Sequence, residues 1–414
     1  MQQILKIILF MGLLHCGFIS SRVITTLYAL HNGQPAWIVG VILSVYAAVP
    51  ALISIHVGKW IDRIGVKIPI IIACLLICVA CAVPIFFPYE TFGIKPIYIT
   101  CLLAGTGFVF ALISGQGLIG HLTTNKTRAT GFTFQSMAFS ASGAAGPVIA
   151  GYLIDEKNYY WAYGGALGFA LAAALVFLLI SRGLPSSLNA NKQKKVEKHS
   201  LFELFKHPLI RNVLLASALV SMAWDLQAFM IPVYGTEIGL DAVAIGWLLS
   251  VFSVCSFAVR ALMPILSHHF KEWSIIIFVL VSTGVSYLIF PFTTSLAVLF
   301  VLCGWLGASL GASQPNVLSL LHQVTPEERI GEAIGILTKP NNSSHTFLPL
   351  LFGFVGSVIG AAAAFWSLGA TMILGAFGIQ RSNKNIASDR GMPDEEKAIE
   401  RSLIDAKKQK IHHK

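Results

Sequence analysis

The chain predicts an all-α polytopic membrane protein, with twelve transmembrane helices in two pseudo-symmetric six-helix bundles. Three observations carry that expectation. Of 414 residues, 55% are hydrophobic and only 12% are charged, with a mean hydropathy of +0.73; a soluble chain of this length builds its core with far less. Twelve apolar runs recur, each about as long as the ~20 residues that cross a bilayer as a helix. The second six runs repeat the first at a nearly constant offset.

Taken in order, the first span covers residues 4–30, an apolar run too long for a cleavable signal peptide. Spans 2 to 6 follow at 37–57, 68–88, 96–120, 131–154 and 160–182. Spans 7 to 12 are expected at 211–235, 242–266, 273–292, 295–321, 330–357 and 360–379. The corresponding units are an N-terminal bundle (1–182), a linker (183–210), a C-terminal bundle (211–380) and a polar tail (381–414). The linker holds Lys192, Lys194, Lys195, Lys198 and Lys206. The tail carries a helix-start pattern, Pro393-Asp394-Glu395-Glu396, and ends in the basic run Lys407-Lys408-Gln409-Lys410.

The formal charge of +10 does not point to nucleic acid, because the basic residues sit in connections and tail with no basic–aromatic groove. They set topology instead. With the N-terminus inside, the outer connections contain only Lys95 and Lys157 among lysines and arginines, so both termini are expected in the cytoplasm of a plasma or inner membrane. All seven cysteines lie within apolar runs, which argues against a disulfide framework and a zinc site. There is no His-Glu-x-x-His or P-loop and no large catalytic loop, so neither an enzyme nor a cofactor is expected.

The repeat is visible residue by residue. A shift of 206 lays Ile38-Val39-Gly40 and Leu43-Ser44-Val45 onto Ala244-Ile245-Gly246 and Leu249-Ser250-Val251. It also carries Tyr28 to Tyr234, Gly58 to Pro264 and Gly105 to Gly311. A shift of 202 carries Pro147 to Pro349 and Gly151 to Gly353. Halves with an even number of spans have the same orientation in the membrane.

Between spans 2 and 3 lies Gly58-Lys59-Trp60-Ile61-Asp62-Arg63-Ile64-Gly65-Val66-Lys67. It reads as a short charged turn, in which Gly58 permits close backbone approach and Gly65 takes positive φ. The stretch resembles motif A of the major facilitator superfamily, Gly-x-x-x-Asp-Arg-x-Gly-x-Lys/Arg, at every specified position. Its copy in the second half has decayed, with His268 and Lys271 in place of Asp62 and Gly65. Span 5 carries Gly143-Ala144-Ala145-Gly146-Pro147-Val148-Ile149-Ala150-Gly151. That run is similar to the superfamily's motif C, associated with exporters and drug:proton antiporters, although its glycine spacing is one residue short before Pro147 and Ala150 replaces a glycine. The arginine that proton-coupled members commonly place before a Gly-x-Gly pair in span 4 is absent from Leu102-Leu103-Ala104-Gly105-Thr106-Gly107.

The resemblance implies a major facilitator fold whose spans 1, 4, 7 and 10 line a central cavity. Charges inside spans mark functional candidates, and Arg22 in span 1 and Asp225 in span 7 are the clearest. Two readings stand side by side. In one, Arg22 binds an anionic substrate group while Asp225 takes and releases a proton. In the other, the two form a salt bridge that fixes packing. Gln116, Gln227, Gln314 and Asn316 are candidate substrate hydrogen-bonding groups or interhelical bonds, and Gln314-Pro315-Asn316 is expected to interrupt span 10. Trp224, Tyr28, Tyr234 and Trp305 are candidate aromatic walls. Lys339, Asn341, Asn342 and His345 make span 11 polar. His15, His56 and His121 read as packed or interfacial histidines. The gating set is Gly58, Asp62, Arg63, Gly65, Lys67, Arg128, Gly146, Pro147 and Gly151, with Asp62 expected to meet Arg128 or the start of span 11 near Arg329 and Ile330.

The expected function is alternating-access secondary transport, with proton-coupled export of small amphipathic or anionic compounds by a monomer in a lipid bilayer, driven by the proton gradient. The alternatives are an uptake permease for a sugar, organic acid or similar solute, and a non-transporting membrane receptor or scaffold.

Overall fold

The computed structural model describes residues 2–123, 128–181, 208–325 and 346–389. Among them the regular structure is helical throughout: α1 (Gln2–His31), α2 (Ala36–Ile64), α3 (Lys67–Phe86), the single turn α4 (Tyr89–Phe92), α5 (Lys95–Leu122), α6 (Arg128–Glu156) and α7 (Tyr159–Ser181). The second set is α8 (Pro208–Glu237), α9 (Ala242–His269), α10 (Glu272–Ile289) with a 3-10 turn (Phe290–Phe292), α11 (Leu296–Val324) and α13 (Ala361–Asp389), with α12 (Thr346–Ile359) before α13. Eleven of the described helices are long and apolar enough to span a membrane. The remaining expected span, 330–357, lies partly outside the described residues and contributes α12. Large side chains such as Leu171, Leu175 and Leu179 on α7 face outward, as a lipid-facing surface requires.

Sequence explains the helix ends. At the charged stretch, α2 does not stop at Gly58 but continues to Ile64, since nothing between breaks a helix. Only Gly65, at φ 82°, ends it, and its N–H donates to the Ile61 carbonyl (2.8 Å). The turn before α3 is therefore two residues. The close approach expected at Gly58 is made by no described atom, because a Cβ there would meet nothing within 4 Å. Nor does Pro315 interrupt α11, which is continuous through it. Asn316 Nδ2 instead donates to the Ala312 carbonyl one turn back (2.7 Å), so a side chain compensates locally for the helix's irregular hydrogen bonding.

Packing within each half relies on small residues and on hydroxyls bonded to backbone. α1 is the centre of the first half, packed on α6 and α7. Phe10 lies against Phe177 (ring centroids 5.5 Å apart), and Ser142 Oγ donates to the Gly12 carbonyl (2.7 Å). In the second half, Tyr287 OH donates to the Ala223 carbonyl (2.6 Å), tying α10 to α8. A Cβ on Gly105 would collide with the Tyr46 carbonyl, and one on Gly307 with the Phe252 carbonyl. The structural twin of Gly105 is thus Gly307, at a shift of 202, one turn from the Gly311 that a shift of 206 selects.

The halves meet at two crossings, α6 on α9 and α2 on α12. Gly246 on α9 faces the Pro147 carbonyl, where an added Cβ would sit 2.5 Å away, and Gly151 on α6 faces the Ala242 carbonyl. Gly40 on α2 faces the Pro349 carbonyl, and a Cβ on Gly353 of α12 would lie 2.8 Å from the Ala36 carbonyl. Gly40 maps to Gly246, Pro147 to Pro349 and Gly151 to Gly353 under the repeat shifts. The residues that repeat in sequence are therefore those at which backbones touch across the pseudo-twofold axis. Both crossings lie at the end of the bundle that carries the α1–α2 connection. There Asp155 of α6 also accepts the Ala242 N–H (3.3 Å) and the Val243 N–H (2.8 Å) at the start of α9, and the Trp37 N–H donates to Ser357 Oγ (2.9 Å).

Candidate functional site

Between the halves lies a cavity of about 270 Å³ walled by α1, α6, α8 and α9. Spans 1 and 7 of the expected wall line this cavity, together with α6 and α9 (spans 5 and 8). The small residues Ser140 and Gly143 on α6, and Ser253 and Ser256 on α9, leave the space between these helices.

Arg22 of α1 and Asp225 of α8 both line this cavity. Asp225 is 3% exposed. Burial of two opposite charges at membrane depth is costly unless each finds compensation, and here they share one chamber. Gln227 and Trp224 stand beside Asp225 on the same wall. Trp224 packs edge-on against Phe252 of α9 (4.9 Å, 87°).

A third charge, Arg260 of α9, enters the same chamber. Its guanidinium carbon lies 5.5 Å from the Trp224 ring centre, within cation–π range. Its Nη1 donates to Ser136 Oγ (3.0 Å) and Ser140 Oγ (3.3 Å) of α6. Sequence reasoning missed Arg260 because it lies near the end of its span, where topology alone accounts for a basic residue. One available signal was the serine pair at Ser136 and Ser140, one turn apart on a neighbouring span. His15 was assigned to packing. It does stack on Phe139 (4.4 Å) and lies 5.4 Å from Phe108, yet it also lines the cavity.

Other candidates stand elsewhere. Gln116 and Gln314 are exposed and are not among the residues that line this cavity, and Asn316 is buried against Met263 and its own helix. Tyr28 and Tyr234, twins in the repeat, brace connections. Tyr28 OH donates to Glu90 (3.3 Å), which also accepts from Tyr160, while Tyr234 OH donates to the Thr293 carbonyl (3.1 Å). Trp305 is exposed and donates to Ser282 (2.8 Å). In the glycine run of α6, Gly146 packs on Ile19 and Ser20 of α1, while Pro147 and Gly151 form the crossing with α9. Pro147 also reaches the cavity. Arg63 is exposed and Lys67 opens α3. The side-chain meeting expected of Asp62 with Arg128 or with the start of span 11, like the polar residues Lys339 to His345, falls outside what the structure describes.

A closed crossing at one end, a charged chamber between two related halves and eleven described spanning helices define a polytopic membrane transporter. The chain belongs to the Major Facilitator Superfamily, whose family model matches residues 8–338 and 213–409. The family and the relatives it matches are transporters, not enzymes. It is 28% identical over 201 residues to Multidrug resistance protein 1 of Bacillus subtilis (strain 168), a stretch of 48% of this chain and 49% of that relative, so the match spans about half of each protein. It is 26% identical over 342 residues to the class E tetracycline resistance protein of Escherichia coli, covering 77% of this chain and 78% of the other. A solved POT family transporter in complex with a thioalcohol-conjugated peptide superposes with a TM-score of 0.75 at 14% identity, over 92% of this chain and 96% of that one. That likeness is one of fold.

Proposed function

We propose that this chain exports small amphipathic or anionic compounds in exchange for protons, by alternating access of the chamber between its halves. The observation that carries the proposal is the buried Asp225 facing a chamber it shares with Arg22. A carboxylate at membrane depth gains and loses a proton as its surroundings change, and a neighbouring guanidinium couples that change to an anionic cargo. The likeness to the two resistance proteins supports export as the direction. The units are those of the sequence: 1–182 and 211–380 rock about the chamber, with 183–210 and 381–414 on the cytoplasmic side of a plasma or inner membrane. The transporter works as a monomer.

In this reading the sealed crossings lie at the outer face. Pro147 and Gly151 belong to that seal, and Gly146 packs α6 on α1 behind it. Gly58, Asp62, Arg63, Gly65, Lys67 and Arg128 belong to the opposite, cytoplasmic gate. Efflux from cells loaded with a panel of anionic, neutral and cationic amphiphiles, with and without a protonophore, tests the proposal. Protonophore-sensitive efflux is expected. Efflux of every compound that is indifferent to the protonophore would rule out the coupling, and inward accumulation would reverse the direction.

A further inference from the structure

Three N–H donors in the chamber lining have no acceptor. Arg22 Nε on α1, Trp224 Nε1 on α8 and Arg260 Nε on α9 are each buried without a hydrogen-bond partner, and all three residues line the same space. An orphaned buried donor costs about 1–3 kcal/mol, and a charged one more. All three belong to residues around one chamber, so an acceptor carrying negative charge that reached them there would relieve that cost. The charge balance agrees. Among the described lining residues, two arginines (+2) face one carboxylate, Asp225 (−1), a net +1 before His15 is counted.

The two arginines come from opposite halves, Arg22 from the first and Arg260 from the second. Arg260 is also held in place. Its Nη1 is tethered to Ser136 and Ser140 and its guanidinium lies over Trp224, so the group is pre-oriented beside the chamber. Around these donors the lining is aromatic, with Trp224, Phe252 and Phe139 exposing ring surface to the chamber.

We infer that Arg260 is a specificity-determining residue, which with Arg22 grips the carboxylate of an aromatic organic monoanion while Trp224 and Phe252 hold its ring. The inference rests on the chamber being the transport site and narrows its cargo from amphipathic compounds at large to this class. Such an anion satisfies donors from both halves at once. It offsets the net charge of the chamber and fits the volume of about 270 Å³.

The test is equilibrium binding to the full-length protein in detergent, with no gradient applied, using 1-naphthoate and its neutral isostere 1-naphthamide as probes. The wild type should bind naphthoate about tenfold or more tightly than naphthamide, since charge-assisted hydrogen bonds are at stake. Arg260→Gln should remove most of that preference while leaving naphthamide binding within about twofold. Arg260→Lys, which keeps the charge but loses the planar fork, should fall between and carries the test if Arg260→Gln does not stay monodisperse. Equal wild-type affinity for the two probes, or equal weakening of both in the variants, overturns the grip and assigns Arg260 to packing. The two proposals fail separately. Lost preference with protonophore-sensitive efflux intact refutes only the grip, and preserved preference without driven efflux refutes only the export reading.

Discussion

Gly246→Ala should loosen the seal between the halves without unfolding either. The added Cβ would sit 2.5 Å from the Pro147 carbonyl oxygen and 3.2 Å from Val148 Cα. Ordinary contact begins near 3.4 Å, so the helices must part by about 0.9 Å, and both obstacles are backbone that cannot rotate away. Overpacking of this kind costs about 1–3 kcal/mol. Because α6 and α9 belong to different halves, the strain is relieved by separating them, a motion that alternating access already contains. A cost of about 2 kcal/mol, charged to the sealed state alone, shifts the open-to-sealed ratio at this end by roughly 30-fold. Spin labels at Lys157→Cys and Glu237→Cys, both exposed near the crossing, would report it by pulsed dipolar spectroscopy, in a background where the half-buried Cys78 and Cys255 are serine. The longer-distance population should grow in Gly246→Ala and stay unchanged in Gly168→Ala, whose added Cβ meets nothing within 4 Å. Identical distance distributions in the two variants would refute the reasoning.

Two further outcomes follow from the same geometry. Asp155→Ala removes the acceptor for the first N–H groups of α9; losing such a cap costs about 0.5–2 kcal/mol, so the same labels should show the same shift toward separation, and unchanged distances would assign Asp155 to the surface. Glu90, in the connection before α5, has its carboxyl pulled below the usual glutamate range, chiefly by the hydrogen bond from Tyr160. A depressed folded value stabilises above the unfolded one and is lost as pH falls through the folded value. Glu90→Gln should therefore melt slightly below wild type at pH 7, by a small margin because the group is exposed, and the gap should close below pH ~4; a gap that persists in acid contradicts the ionic account.

Much of this architecture was legible in sequence because a bilayer admits few solutions. A helix must satisfy its own backbone groups, so apolar length gave α1, α3, α5 and α8 to within about three residues. The repeat foretold more than the halves: Gly40, Gly246, Gly151 and Gly353 mark where those halves touch. Periodicity failed where charge is ambiguous. Arg260 looked like a topological residue at a span end, and only its neighbours Trp224, Ser136 and Ser140 turn it inward. The amides Gln116 and Gln314 looked like ligand groups at the right depth, but depth does not fix the face, and neither is among the residues that line this cavity. The short α4 and its Tyr28–Glu90–Tyr160 cluster left no pattern, since they depend on three separate connections meeting.

The most direct test of the central claim is transport by reconstituted protein in proteoliposomes under an imposed pH gradient, comparing wild type with Asp225→Asn. Wild-type flux of the compound selected by the efflux panel should follow the gradient and collapse with a protonophore. Asp225→Asn should lose gradient-driven flux while retaining exchange of labelled for unlabelled compound, because the chamber persists without its proton site. Undiminished driven flux in Asp225→Asn would contradict the account.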